Sequence, residues 1–161
     1  VATCSPTDGT FDAHGPSSVG FLLSQVGRSV GASLRRSLAP LDLDPRQYLL
    51  LRTVAACRGR SQHEVARALQ IPPSRMVALV DGLEARRLLE RIADPDDRRA
   101  HQLRLTPAGR RLLERARPVA ERHETELCAP LSEAERAALV ALVGRIAAHR
   151  ELRLGDAGRP A

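Results

Sequence analysis

Apolar positions recur along this chain with a helical period almost throughout, and with a period of two in one place only. From Ser17 to Leu38, the residues Val19, Leu22, Val26, Val30, Leu34 and Leu38 form one stripe with Leu23 beside it, which predicts a long amphipathic first helix. Gly27 and Gly31 each cost about 1 kcal/mol of helix propensity against Ala; four apart, they also leave room for another helix to approach. Pro40 ends this helix. Asp44-Pro45 then offers an N-cap followed by a proline at the first helical position, predicting a second helix to about Cys57 with Tyr48, Leu49, Leu51 or Arg52, Val54 and Ala55 inward. Ser61-Gln62-His63-Glu64 has the spacing of a capping box, and Val65, Ala66 and Leu69 are the inward positions of the short helix it opens. Beyond Pro72-Pro73, the residues Met76, Leu79, Val80 and Leu83 lie at i, i+3, i+4 and i+7. Leu89 to Ala93 is a short run, and His101, Leu103 and Leu105 alternate with Gln102 and Arg104, so two strands are predicted around the turn Asp94-Pro95-Asp96-Asp97-Arg98-Arg99. Thr106-Pro107 repeats the cap-and-proline signal. A stripe of Leu112, Leu113, Ala116, Val119, Ala120, His123 and Leu127 follows, in which Pro118 is expected to kink or interrupt the helix. Ser132 to Glu135 is a second capping box, ahead of an apolar face of Ala138, Leu139, Leu142, Val143, Ile146 and Ala147.

The predicted order is helix, helix, two short helices with a tight joint, hairpin, helix, helix. The fold class is mainly α with a small β-hairpin wing. Two short helices joined tightly make a helix-turn-helix. Opposite the apolar stripe of its second helix stand Ser74, Arg75, Ala78, Asp81 and Gly82, with Val77 at the boundary. Near the helix start that face is small, polar and cationic, a shape suited to a DNA major groove, where bulky side chains would hold the backbone off the base edges. Ser74 and Arg75 suit phosphate or base contact, and Ala78, one turn on, suits a thymine methyl. The hairpin tip carries two adjacent arginines. An arginine there suits the narrow, electronegative minor groove beside the helix.

The string LE-x-x-x-L-x-E-R, followed by DPDDRRAHQLRLTPAGR, resembles the MarR family of dimeric transcriptional regulators. The likeness is strongest from Ser61 to Gly109 and consistent in layout from about Val19 to Ala148. It implies a D-x-R pair in the wing, here Asp97 and Arg99, with Arg99 meeting DNA and Asp97 holding its side chain by a charge-assisted bond. Arg98 would meet a phosphate, which positions without specifying. It also implies a helix opened by Leu105-Thr106-Pro107-Ala108-Gly109, and first and last helices that interleave between two subunits. The implied organisation is a loose arm over 1–16, a winged helix-turn-helix domain over 17–150 and a tail over 151–161. Within that domain the DNA-binding lobe spans about 45–106, and the dimerisation helices about 17–39 and 107–150. The implied function is a ligand-responsive homodimeric repressor that reads a pseudo-palindromic double-stranded operator. Its small effector, often phenolic or lipophilic, binds between the dimer helices and the DNA-binding lobe. Two glycines of the family pattern are replaced, one before the recognition helix by Gln70 and one in the LE-x-x-G-L motif by Arg87. Arg87 must therefore either strain the turn or shift it.

Charge sharpens this picture. The net charge is +6 and every basic residue is arginine. Between Pro45 and Arg110 thirteen arginines face seven acids, which accounts for the whole excess and leaves the flanks neutral. A basic middle between neutral ends fits a nucleic-acid reader on non-basic scaffolding. Only Phe11, Phe21 and Tyr48 are aromatic, too few for a platform that stacks single-stranded bases. No phosphate loop, dinucleotide fingerprint or nucleophile elbow is present, so no enzyme and no cofactor is expected. Cys4, Cys57 and Cys128 make no metal spacing and read as reduced thiols in the cytoplasm. His14 and His63 read as solvated. Glu121, His123, Glu124 and Glu126 look metal-like, but read better as an acidic face with one half-buried histidine. No apolar run is long enough to span a membrane, and the first residues show no leader pattern. Two other readings stay open. One is a helical protein-interaction module or anti-regulator on the same scaffold, which would not need the basic wing. The other is a thiol-based redox-sensing regulator, which needs a cysteine of lowered pKa.

Overall fold

The computed structural model describes residues 18–57, 59–93 and 101–150. The expected arm and tail, Cys4, His14 and the wing tip with Asp97, Arg98 and Arg99 lie outside them. Six helices and one hairpin follow the predicted order: α1 (Val19–Leu38), α2 (Pro45–Ala56), α3 (Gln62–Ala68), α4 (Pro73–Ala85), β1 (Leu89–Ala93), β2 (His101–Leu105), α5 (Pro107–Leu127) and α6 (Glu133–His149).

The helix starts are fixed by local chemistry. The Asp44 carboxylate accepts from the backbone N–H groups of Arg46 and Gln47, while the Gln47 side chain accepts from the Asp44 amide. Ser61 with Glu64, and Ser132 with Glu135, close the two reciprocal capping boxes. In both boxes the serine hydrogen bonds hold the glutamate below the usual carboxylate range. Thr106 Oγ1 accepts from the Gly109 amide at 3.0 Å to start α5.

Helix ends explain the two replaced glycines. After α3, the amide of Ile71 donates to Ala66 O at 3.0 Å and that of Gln70 to Arg67 O at 3.2 Å; after α4, Leu88 donates to Leu83 O at 2.9 Å and Arg87 to Glu84 O at 2.8 Å. Both are Schellman motifs, which require a left-handed residue at the position after the cap. Gln70 has φ 52° and Arg87 has φ 56°. The turns are thus kept and the strain accepted. Replacing Arg87 by Gly is expected to stabilise the protein by about 0.5–1 kcal/mol, the left-handed penalty less the entropy that glycine adds to the unfolded chain. A urea midpoint that rises at unchanged slope and fixed protein concentration checks this; a lower midpoint would show that the Arg87 side chain contributes more than its backbone costs.

β1 and β2 pair antiparallel in the register Leu89↔Leu105, Arg91↔Leu103 and Ala93↔His101. Ser61, just ahead of α3, bridges to Gln102, and the Leu103 amide donates to Arg60 O at 3.3 Å, so the hairpin is sewn to the helix-turn-helix. The core lies where α2, α4, the hairpin and α5 meet, around Leu50, Leu51, Met76, Val80, Leu83, Leu89, Leu103, Leu105 and Leu113. One expectation is corrected here, and of another the stronger alternative. In α2 the buried residues are Tyr48, Leu50, Leu51 and Val54, while Leu49 and Ala55 face outward. Pro118 does not interrupt α5. Pro118 and Glu114 both face solvent, where water can meet the carbonyl that loses its donor. Leu113 and Ala116 on one side, and Val119 and Ala120 on the other, anchor both halves of α5 to the core.

The terminal helices behave differently. α1 packs on α5 through its C-terminal half, where Leu38 is fully buried, but Val19, Phe21, Leu22, Leu23 and Val26 near its start are exposed. α6 touches the rest of the chain only sparsely. Leu139, Leu142 and Ile146 of its predicted stripe are exposed, as is Val140, and only Ala147 is buried. No helix among the described residues is long and apolar enough to cross a membrane.

Candidate nucleic-acid interface

α4 presents the face read from its pattern. Met76, Val80 and Leu83 are fully buried, whereas Ser74, Arg75, Val77, Ala78, Asp81 and Gly82 are exposed. Val77, placed at the boundary of the stripe, is 44% exposed and so belongs to the outward face. Pro72 caps α4 without a side-chain hydrogen bond, which leaves the first-turn amides and the positive end of the helix dipole facing outward beside Ser74 and Arg75. An anion is favoured at such a helix start. The hairpin stands beside this helix, and its tip, with Asp97, Arg98 and Arg99, lies outside the described residues, as does Arg58.

The basic block divides into two populations that sequence counting had merged. Arg86 pairs with Asp42 at 3.1 Å, Arg104 with Glu90 at 2.8 Å, and Arg110 donates to Leu105 O at 2.8 Å. Arg91 is held by Asp81, Glu84 and Gln62. These four serve the fold. Arg46, Arg52, Arg60, Arg67, Arg75 and Arg87 are exposed and form no ion pair among the described residues. The signal that separates Arg91 from the rest was present in the motif LE-x-x-x-L-x-E-R, since its glutamate Glu84 and its arginine Arg91 are the ion pair.

The lobe is locked to α5 at one point. Leu88 O accepts from the Thr106 amide at 3.2 Å, Thr106 Oγ1 donates to Arg87 O at 2.6 Å, and Gly109 is buried against the same peptide. A Cβ at Gly109 would stand 1.9 Å from Leu88 O. The Thr-x-x-Gly spacing is thus a packing motif that fixes the end of the recognition helix and the base of the wing to the long helix.

A second feature could not be read from the pattern, because its walls belong to core stripes. A cleft of about 850 Å³ opens between α1, α2 and α5, with Val30, Leu34, Tyr48 and Leu113 as its apolar wall and Arg52, Arg117 and His123 among its polar groups. His123, expected to be half-buried, is so, and its Nε2 lies 2.7 Å from Ser33 Oγ of α1. Among the described residues no group of three or more His, Cys, Asp or Glu is placed to hold a metal ion. Cys57 and Cys128 are free and half-buried; Cys128 Sγ lies 3.7 Å from Glu124 Oε1.

Comparison with known proteins places these features. The model of the MarR family matches residues 41–100. A putative transcriptional regulatory protein for the hcr operon of Thauera aromatica is 35% identical over 102 residues, covering 63% of this chain and 61% of that protein. The transcriptional repressor CouR, solved bound to a 23-mer DNA duplex, superposes with a TM-score of 0.79 at 35% identity, covering 86% of this chain and 99% of that one. CouR from Rhodococcus jostii RHA1, solved with p-coumaroyl-CoA, superposes with a TM-score of 0.74 at 32% identity, covering 81% of this chain and 92% of that one.

Proposed function

This chain belongs to the MarR family of winged helix-turn-helix transcriptional regulators, and from that premise we propose that it works as a homodimeric, ligand-responsive repressor of a pseudo-palindromic operator. The observation that carries the reading is the outward face of α4. Ser74, Arg75, Val77 and Ala78 are exposed on a helix whose other side is locked into the core, so the bases meet a rigid surface. Ser74 and Arg75 take the phosphates at the helix start and the nearest base edges. Val77 and Ala78 give the small apolar contacts that recognise a thymine methyl. Arg99 enters the minor groove, steadied by Asp97, and Arg98 holds a phosphate. Dimerisation uses the exposed apolar faces of α1 and α6. It sets two recognition helices about one turn of DNA apart. The site of action is the cytoplasm, where the operator is.

The effector cleft is the one between α1, α2 and α5. It touches both a dimerisation arm and the DNA-binding lobe, so a ligand there can favour one spacing of the two lobes over another. It acts only through unequal affinity for the two spacings. An apolar wall with Arg52, Arg117 and Arg136 outnumbering Glu121 and Glu124 among its charged lining suits an amphipathic anion, such as an aromatic acid or its acyl thioester.

The wing is tested by Arg99→Ala. Operator affinity is expected to fall by about tenfold to a hundredfold, the worth of about 1–3 kcal/mol for one specific contact, with the dimer intact by sedimentation. An unchanged dissociation constant for that variant removes the wing from the mechanism.

A further inference from the structure

We propose that Arg91 is a positioning residue for DNA recognition: it sets the wing against the recognition helix and neutralises that helix's outward acid, without touching DNA itself. The inference rests on the DNA-binding reading above. Arg91 sits in the middle of β1, and its side chain is only 22% exposed. Every nitrogen of its guanidinium is occupied. Nε donates to Gln62 Oε1 of α3 at 3.0 Å, Nη2 to Asp81 Oδ1 of α4 at 2.6 Å, and Nη1 to Glu84 Oε2 of α4. Its backbone amide, on the free edge of the hairpin, donates to the other carboxylate oxygen of Glu84 at 3.1 Å. One residue thus joins both helices of the helix-turn-helix to the strand that leads into the wing.

Asp81 shows why this arrangement bears on DNA. It lies on the outward face of α4 with Ala78 and Gly82, and its side chain is 57% exposed. A free carboxylate there would face the phosphates as the helix enters the groove. Arg91 holds Asp81 back toward β1 and cancels its charge at contact distance. Glu84, on the same side of the helix, is consumed by the same guanidinium. A planar, five-donor group can satisfy three acceptors on two helices at once; an ammonium is a single point and cannot. Arg91 therefore contributes to recognition through Asp81, Glu84 and Gln62, although by composition it counts with the DNA-facing arginines.

The experiment is a double-mutant cycle on operator binding by the full-length dimer, with each dissociation constant measured across a salt series. Arg91→Met is expected to raise the dissociation constant by about tenfold or more in the native background. In the Asp81→Ala/Glu84→Ala background it should change the constant by about twofold or less, because both carboxylates it holds are gone and only its bond to Gln62 remains. Arg91→Lys, which keeps the charge, should lose most of the affinity that Arg91→Met loses, with an unfolding midpoint measured alongside to show that the variant is folded. The proposal is overturned if Arg91→Met costs the same in both backgrounds at every salt concentration, as loss of a direct phosphate contact would, or if Lys substitutes without loss. Should the native protein fail to bind duplex DNA at all, the DNA-binding reading is what fails.

Discussion

Gly109→Ala is expected to destabilise the protein by about 3 kcal/mol or more, although the same change in an open helix would stabilise it by about 1 kcal/mol. The sign is set by one contact. The new methyl would stand 1.9 Å from Leu88 O, and that carbonyl cannot withdraw, because it accepts the Thr106 amide at 3.2 Å. Relief requires α5 to lift away from the turn between α4 and β1, which also breaks the bond from Thr106 Oγ1 to Arg87 O. Leu88, Leu89, Leu105 and Leu113 would then lose their mutual packing. The measurement is chemical or thermal unfolding at fixed protein concentration, and DNA binding should fall in parallel because the base of the wing moves with the turn. A variant as stable as the native chain would mean that α5 does not seat on this peptide.

Placing charge on both free apolar faces, as in the double variant Val26→Glu/Leu142→Glu, is expected to abolish the proposed dimer at micromolar concentration. Val26 is 51% exposed and Leu142 53% exposed, so neither change disturbs a packed neighbour within the chain. In a two-fold interface each substitution appears twice, and four carboxylates would be buried without partners. Binding through a single lobe then forfeits the gain from a second linked contact, a factor of about a hundred to ten thousand in operator affinity. Sedimentation velocity reads the first effect and operator titration the second. A dimer that survives the double substitution would place the interface elsewhere.

Much of this fold was legible because it is written in short-range signals. Asp44, Ser61, Thr106 and Ser132 each announce a helix start by a side chain that can accept a specific amide, and each does so in the structure. The alternation of His101, Leu103 and Leu105 gave the strand, and Leu103 and Leu105 its buried side, while His101 at the wing end of the strand is exposed. Where neighbouring residues were chemically alike, the pattern could not choose: Leu49, Leu50 and Leu51 offer three consecutive candidates, and only packing against α5 and β2 selects the last two. Pro118 leaves α5 unbroken, because core contacts on either side of it hold both halves of the helix. Gln70 and Arg87 are the opposite case. The turn geometry survives without glycine because two cross-turn hydrogen bonds at each site hold it.

The recognition surface was half legible for a related reason. Which residues of α4 face outward follows from periodicity, and Ser74, Arg75 and Ala78 lie where it put them, with Val77 settled on the same side. Which arginines are free follows only in part: the motif holds Arg91 and its partner Glu84, and Arg110 bonds locally to Leu105 O, whereas Arg86 with Asp42 and Arg104 with Glu90 meet only through the fold. The cleft was not legible at all. Val30, Leu34, Tyr48 and Leu113 come from three helices, and nothing in the sequence distinguishes them from the core residues beside them.

The most direct test is titration of duplex from the region upstream of the chain's own gene, with complex mass and affinity recorded between 50 and 200 mM salt, roughly the range over which phosphate contacts are lost. Two chains per duplex are expected, with log affinity falling linearly and steeply against log salt. One chain per duplex, or an affinity indifferent to salt, would contradict a paired cationic reader of the DNA backbone and grooves.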